Sequence, residues 1–126
     1  MNEQKRLQLL TSSCKPLPAG APKLTPEEVA SLLRVIPDWR LVNDASITRT
    51  YICSSYMDGV RWFALAAAIA EAEDHHPDAL VTWCKVTFTL WTHTVNGLSE
   101  NDFILAAKFD RAWEEFVQGT SKILTP

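Results

Sequence analysis

The apolar positions of this chain follow two rhythms, one of three to four residues and one of two. The helical rhythm appears first in "LTPEEVASLLRVI", where Val29, Leu32, Leu33 and Ile36 mark one face. Thr25 stands before Pro26, and Glu28 follows three residues after the threonine. That is a capping box with proline at the first helical position, so a helix starts there, and Pro37 ends it. "DWRLVND" and "SITRTYIC" are rich in β-branched and aromatic residues and meet at the turn formers Asn43 and Asp44, which predicts a hairpin. A second helix starts at Ser55, with Asp58 three residues on, and runs to about Asp74. Its apolar residues Val60, Trp62, Phe63, Leu65, Ala66, Ile69 and Ala70 cover a broad face, as expected of a helix buried across a sheet.

"ALVTW" and "KVTFTLWTH" read as a second hairpin. In the latter, Val86, Phe88 and Leu90 alternate with Thr87, Thr89 and Trp91, the two-residue rhythm of a strand. The last helix begins with Ser99 as N-cap and Asp102 at its third position, and Leu105, Phe109, Trp113 and Phe116 continue its stripe. The order α-β-β-α-β-β-α, with each strand pair a hairpin, predicts an α+β fold. It is a two-layer domain, a four-stranded antiparallel sheet with three helices packed on one face. Before it, "SSCKPLPAGAPKL" carries three prolines and a glycine. Residues 1–23 therefore read as an irregular N-terminal arm, and residues 24–126 as the domain.

Composition narrows the class. The 126 residues suit one domain with a core large enough to need no disulfide or metal staple. The net charge of -3 and the absence of any basic run argue against nucleic acid, whose phosphates require clustered Lys and Arg. Cys14, Cys53 and Cys84 are odd in number and have no CxxC spacing, which fits reduced thiols in a cytoplasmic protein. "MNEQKRLQLL" has no apolar core of a secretory signal, and "WFALAAAIA" is too short to span a bilayer, so no membrane partner is expected.

All three histidines fall within one helix–hairpin unit: His75 and His76 in "EAEDHHPDALVTW", His93 in "LWTHTVNG". Pro77 disfavours helical geometry at His76, so the helix should stop near His75 and free both imidazoles to face one pocket. Glu71, four residues before His75, shares its helical face and is placed to orient its ring. Imidazoles titrate near neutral pH, so three together suit proton transfer on a small polar substrate. The blander reading is a pair of C-cap histidines on a solvated turn plus a strand-end histidine. A zinc site built from the histidines with Glu71 or Asp74 is disfavoured, because there is no HExxH and no cysteine lies beside the cluster. Trp39, Trp83 and Trp91 offer flat surfaces, though Trp39 and Trp83 read more strongly as core aromatics.

Glu71, His75-His76-Pro77, Trp83, His93 and Asp102 stand in the order and spacing of the signature of the pterin-4a-carbinolamine dehydratases. The phrases "DHHPD", "WTH" and "GLSENDFILAAKFD" resemble bacterial members of that family, and the resemblance extends from about Leu24 to Val117. It implies a hydro-lyase that converts 4a-hydroxytetrahydrobiopterin to quinonoid dihydropterin and water, recycling the pterin of aromatic amino-acid hydroxylases without a cofactor or metal. Carried over by position, His75 and His93 would transfer protons and His76 would bind and position the pterin. Asp74, Trp91, Thr92, His93 and Thr94 would line the pocket, and Glu71 would hold His75. Asp102 reads equally as a site residue and as the cap acid of the last helix. The resemblance also implies a homodimer or homotetramer, and the apolar "VTFTLW" strand would need its edge covered. The alternative is a non-catalytic binding or regulatory module on the same fold, serving as a dimerisation or assembly partner.

Overall fold

A computed structural model of the chain describes residues 2–124, and the side chains of 120–124 fall outside that description. Met1 of the arm and the expected domain end at Pro126 lie outside the described residues. The elements run α1 (Asn2–Thr11), α2 (Pro26–Leu33), β1 (Arg40–Val42), β2 (Ser46–Ile52), α3 (Tyr56–Glu73), β3 (Asp78–Thr82), β4 (Lys85–Leu90), a 3-10 turn (His93–Val95) and α4 (Glu100–Leu124). The sheet is antiparallel throughout, in the order β1-β2-β4-β3. This is the α+β architecture expected from the sequence.

Local chemistry sets the boundaries. Thr25 caps α2 through the Glu28 N–H, while the Glu28 carboxylate accepts from the Thr25 N–H at 2.8 Å, the reciprocal box read from the sequence. Ser55 caps α3 through the Asp58 N–H at 3.0 Å. Asn43 and Asp44 carry the β1–β2 turn at φ 52° and 55°, left-handed values that Asn and Asp tolerate best after glycine.

The core lies between the sheet and the helices. Ile47 and Tyr51 of β2 and Val86, Phe88 and Leu90 of β4 point into it, against Trp62, Ala66 and Ala70 of α3 and Phe103 to Ala107 with Phe109 of α4. On α3 only the stripe Gly59, Trp62, Ala66 and Ala70 is fully buried. The buried face is narrower than the expected broad one, and Leu65 stays exposed. Small residues on three of these four positions let the helix approach the sheet closely. The outer face of the sheet carries threonines paired across strands, Thr50 with Thr87 at 2.8 Å and Thr48 with Thr89 at 3.2 Å.

Three sequence expectations change. The arm is not wholly irregular: it opens with α1, whose Leu9 is completely buried and which packs on α4. The long apolar β4 is not an edge strand. It lies between β2 and β3, so its backbone is paired on both sides within the chain, and the edges fall to β1 and β3. The third change concerns Trp83, which is no core aromatic but sits at the β3–β4 turn with 78% of its surface exposed.

Candidate active site

The end of α3 is where the site begins. Asp74, not Pro77, terminates the helix: it is left-handed, with φ 51° and ψ 42°. Its N–H reaches the carbonyl of Glu71 at 3.2 Å, and the His75 N–H reaches that of Ala70 at 3.2 Å. These two bonds form a Schellman motif, which satisfies the last carbonyls and turns the chain sharply. The turn breaks the i, i+4 relation expected between Glu71 and His75. Instead, His76 Nε2 donates to Glu71 Oε1 at 2.8 Å, on the exposed surface.

His75 turns the other way, towards the start of α4. Its Nε2 lies 2.6 Å from Asp102 Oδ1. An ionised carboxylate only accepts, so the imidazole N–H donates and Nδ1 is the free nitrogen. Asp102 is completely buried. Its Oδ2 accepts from Thr92 Oγ1 at 2.9 Å and from the Ser99 N–H at 3.0 Å. The Ser99 hydroxyl is 2.7 Å from Thr92 Oγ1, and since the threonine proton is given to Asp102, the serine donates there. Asp102 is thus both readings at once: it caps the first turn of α4 and it holds His75.

His93 opens the short turn beyond β4. The Thr92–Gly97 bridge and a left-handed Asn96 (φ 52°) pinch residues 92–97 into a tight loop that carries His93 and Thr94 outward. The His93 ring packs against Trp91, centroids 4.6 Å apart.

These pieces enclose a cavity of about 460 Å³. His75, His76 and His93 all line it, with Asp74, Trp91, Thr92 and Thr94. Four expected residues do not reach it. Glu71 and Asp102 stand behind His76 and His75. Trp39 is buried in the core, its Nε1 donating to Asp110 at 3.0 Å beside Arg49 (2.7 Å) and the Tyr51 hydroxyl (2.6 Å). Trp83 points into solvent. Six lining residues were not foreseen: Cys14, Lys15, Pro16, Leu17, Glu73 and Asn101. Nothing in the arm's composition signals a site, whereas Glu73 and Asn101 each adjoin a residue that was singled out.

The Glu73 carboxylate works against its burial. Desolvation alone would raise its pKa, but Lys108 Nζ at 2.5 Å and the Cys14 N–H at 2.8 Å hold it below the ordinary value. The Cys14 thiol is pushed up to about 12, first by burial and then by the neighbouring Glu73 charge. Among the described residues, no three His, Cys, Asp or Glu side chains are grouped to hold a metal ion.

Fold and cavity together define a two-layer α+β domain whose three imidazoles line one cavity. The family model for pterin 4 alpha carbinolamine dehydratase matches residues 22–112, and the chain belongs to that family. Its fold is also that of a solved structure titled "Crystal structure of transcriptional coactivator/pterin dehydratase from Brucella Melitensis", with a TM-score of 0.68 and 33% sequence identity. That similarity covers 71% of this chain and 96% of the Brucella chain. No described helix is long and apolar enough to cross a membrane.

Proposed function

We propose that the chain dehydrates a 4a-hydroxytetrahydropterin to the quinonoid dihydropterin, with its histidines as acid and base. The observation that carries this reading is the convergence of His75, His76 and His93 on one cavity, with His75 backed by a buried carboxylate. In the reaction the N5 lone pair forms the C4a=N5 double bond as the C4a–O bond breaks. The departing hydroxyl takes a proton from a general acid and leaves as water, and a base removes the N5 proton. No oxidant or reductant enters the balance. A positioned acid and a positioned base meet this need, a task worth roughly 10²- to 10⁴-fold. His75, through its free Nδ1, and His93 are assigned the proton transfers. His76, steadied by Glu71, binds the pterin, and Asp74 and Trp91 to Thr94 shape the pocket.

The test is a dehydration assay in which a phenylalanine hydroxylase generates the 4a-hydroxypterin in situ, with a metal chelator present. Acceleration that survives the chelator and disappears in the His75→Ala/His93→Ala double variant is the expected result. A folded wild-type protein that gives no acceleration refutes it. His75→Ala and His93→Ala should each lower kcat more than they raise KM, and His76→Ala should do the reverse.

The second reading, a binding module, is favoured by a different surface. Ile52 and Leu80 lie exposed on the outer sheet face, and exposed Trp83 adjoins them at the hairpin turn. These three exposed apolar side chains, on a face otherwise lined by threonines, also support self-association into a dimer or tetramer, which light scattering of the purified chain would measure. The free Cys14, Cys53 and Cys84 fit a reducing, cytoplasmic setting.

A further inference from the structure

One wall of the cavity comes from outside the family match. The match begins at residue 22, yet Cys14, Lys15, Pro16 and Leu17 line the same cavity as the histidines.

This wall is fastened along its length. Upstream, α1 is anchored on α4 by buried Leu9 and by Arg6, 3.3 Å from Glu114. Downstream, the Gly20 N–H donates to the Thr94 carbonyl at 3.0 Å and the Leu24 N–H to that of Leu98 at 2.9 Å. Between these anchors the Asn101 side chain grips Lys15 in both directions. Its Oδ1 accepts from the Lys15 N–H at 2.9 Å, and its Nδ2 donates to the Lys15 carbonyl at 2.7 Å. Asn101 is itself buried and directly precedes Asp102, so the arm is tied to the turn that holds His75.

The backbone of Lys15 is therefore fixed, and its side chain is not. Among the described residues its ammonium has no ion-pair partner. Of the acidic groups nearby, Glu73 is paired with Lys108, Asp102 with His75 and Glu100 with Lys5. The raised Cys14 thiol stays neutral and adds no negative charge to the wall. Asp74 also lines the cavity, and a carboxylate accepts hydrogen bonds of the kind that the N–H edge of a 2-amino-4-oxopteridine ring donates. Lys15 is left to meet what the ring carries.

Resting on the dehydratase reading, we infer that Cys14 to Leu17 form a wall of the catalytic cavity and that Lys15 is its specificity residue. It favours a pterin whose C6 side chain bears a carboxylate or phosphate over one with a neutral side chain.

The test is a fluorescence titration of the full chain with 6-hydroxymethylpterin, its phosphate ester and 6-carboxypterin. Wild-type protein should bind the two anionic pterins about fivefold more tightly, the upper range for an exposed charge pair. Lys15→Ala should remove that preference and leave Kd for the neutral pterin within about twofold, and Lys15→Glu should invert the order. The preference should shrink as salt rises, because an exposed pair is screened. The ranking of phosphate against carboxylate then shows which anion the wall prefers. Equal wild-type affinity for all three ligands, or an equal loss for all three in Lys15→Ala, overturns the inference. Dehydration rates on the same samples separate the two readings: turnover without anion preference sinks only this one, whereas a wild-type chain that binds no pterin sinks both. Lys15 is exposed, so both variants should keep the wild-type melting temperature.

Discussion

Replacing Asp102 with Asn tests whether this carboxylate serves the site or only the helix. The Oδ2 position faces two donors, the Thr92 hydroxyl and the Ser99 N–H, so the amide oxygen must take that place. The amide NH₂ then faces His75 Nε2, which already carries a proton. Two donors cannot share a hydrogen bond, so the imidazole proton moves to Nδ1, and the nitrogen left free for chemistry changes from acceptor to donor. Loss of one acid–base function corresponds to a fall in kcat of about 10²- to 10³-fold, or roughly 3–4 kcal/mol of barrier. The fold loses charge-assisted bonds at a fully buried position, about 1–3 kcal/mol. That lowers Tm by about 3–6 °C for each kcal/mol. Steady-state rates with circular-dichroism melts measure both. A variant that melts early but keeps kcat within threefold would show Asp102 to be a helix cap alone.

Other outcomes follow from the same geometry. Glu73 has a lowered folded pKa, so its contribution is present above the unfolded carboxylate value and is lost as pH falls through the folded one. Melting curves from pH 6 down to about 3 should therefore fall less steeply in Glu73→Gln than in the wild type. Asn101→Ala removes both bonds to the Lys15 backbone, about 1–2 kcal/mol locally, and should speed proteolytic cleavage in the arm with little change in Tm. Phe88→Ala empties a fully buried aromatic site at the sheet centre and should cost about 3–5 kcal/mol in denaturant unfolding. Glu71→Gln alters an exposed pair and should change KM less than His76→Ala does.

Much of this fold is legible in the chain because its signals are local. Thr25-Pro26-Glu28, Ser55 with Asp58, and Asn43-Asp44 each set a boundary from within a few residues, and the alternation through Val86, Phe88 and Leu90 assigns the core face of β4. The histidines were legible as a group for the same reason. Their partners were not. Spacing on an ideal helix pairs Glu71 with His75, but a single left-handed residue at Asp74 ends that helix and passes Glu71 to His76. Asp102 becomes the partner of His75 only because α4 starts beside the end of α3. The wall from Cys14 to Leu17 was hidden more deeply, since its place depends on Glu73, Thr94 and Asn101, all far along the chain.

The interior position of β4 has a consequence for how the chain reaches this structure. β3 and β4 close locally through Trp83 and Cys84, so that hairpin can form early. The contact of β4 with β2 spans the whole of α3, and only that contact joins the two hairpins into one sheet. Until it forms, the strand that carries the buried Val86, Phe88 and Leu90 has one bare edge and an uncovered core face. Non-local closure of this kind slows folding and leaves a species prone to aggregate. Refolding yield should therefore depend on protein concentration, and substitutions at the β2–β4 seam should slow folding more than those at the β3–β4 turn.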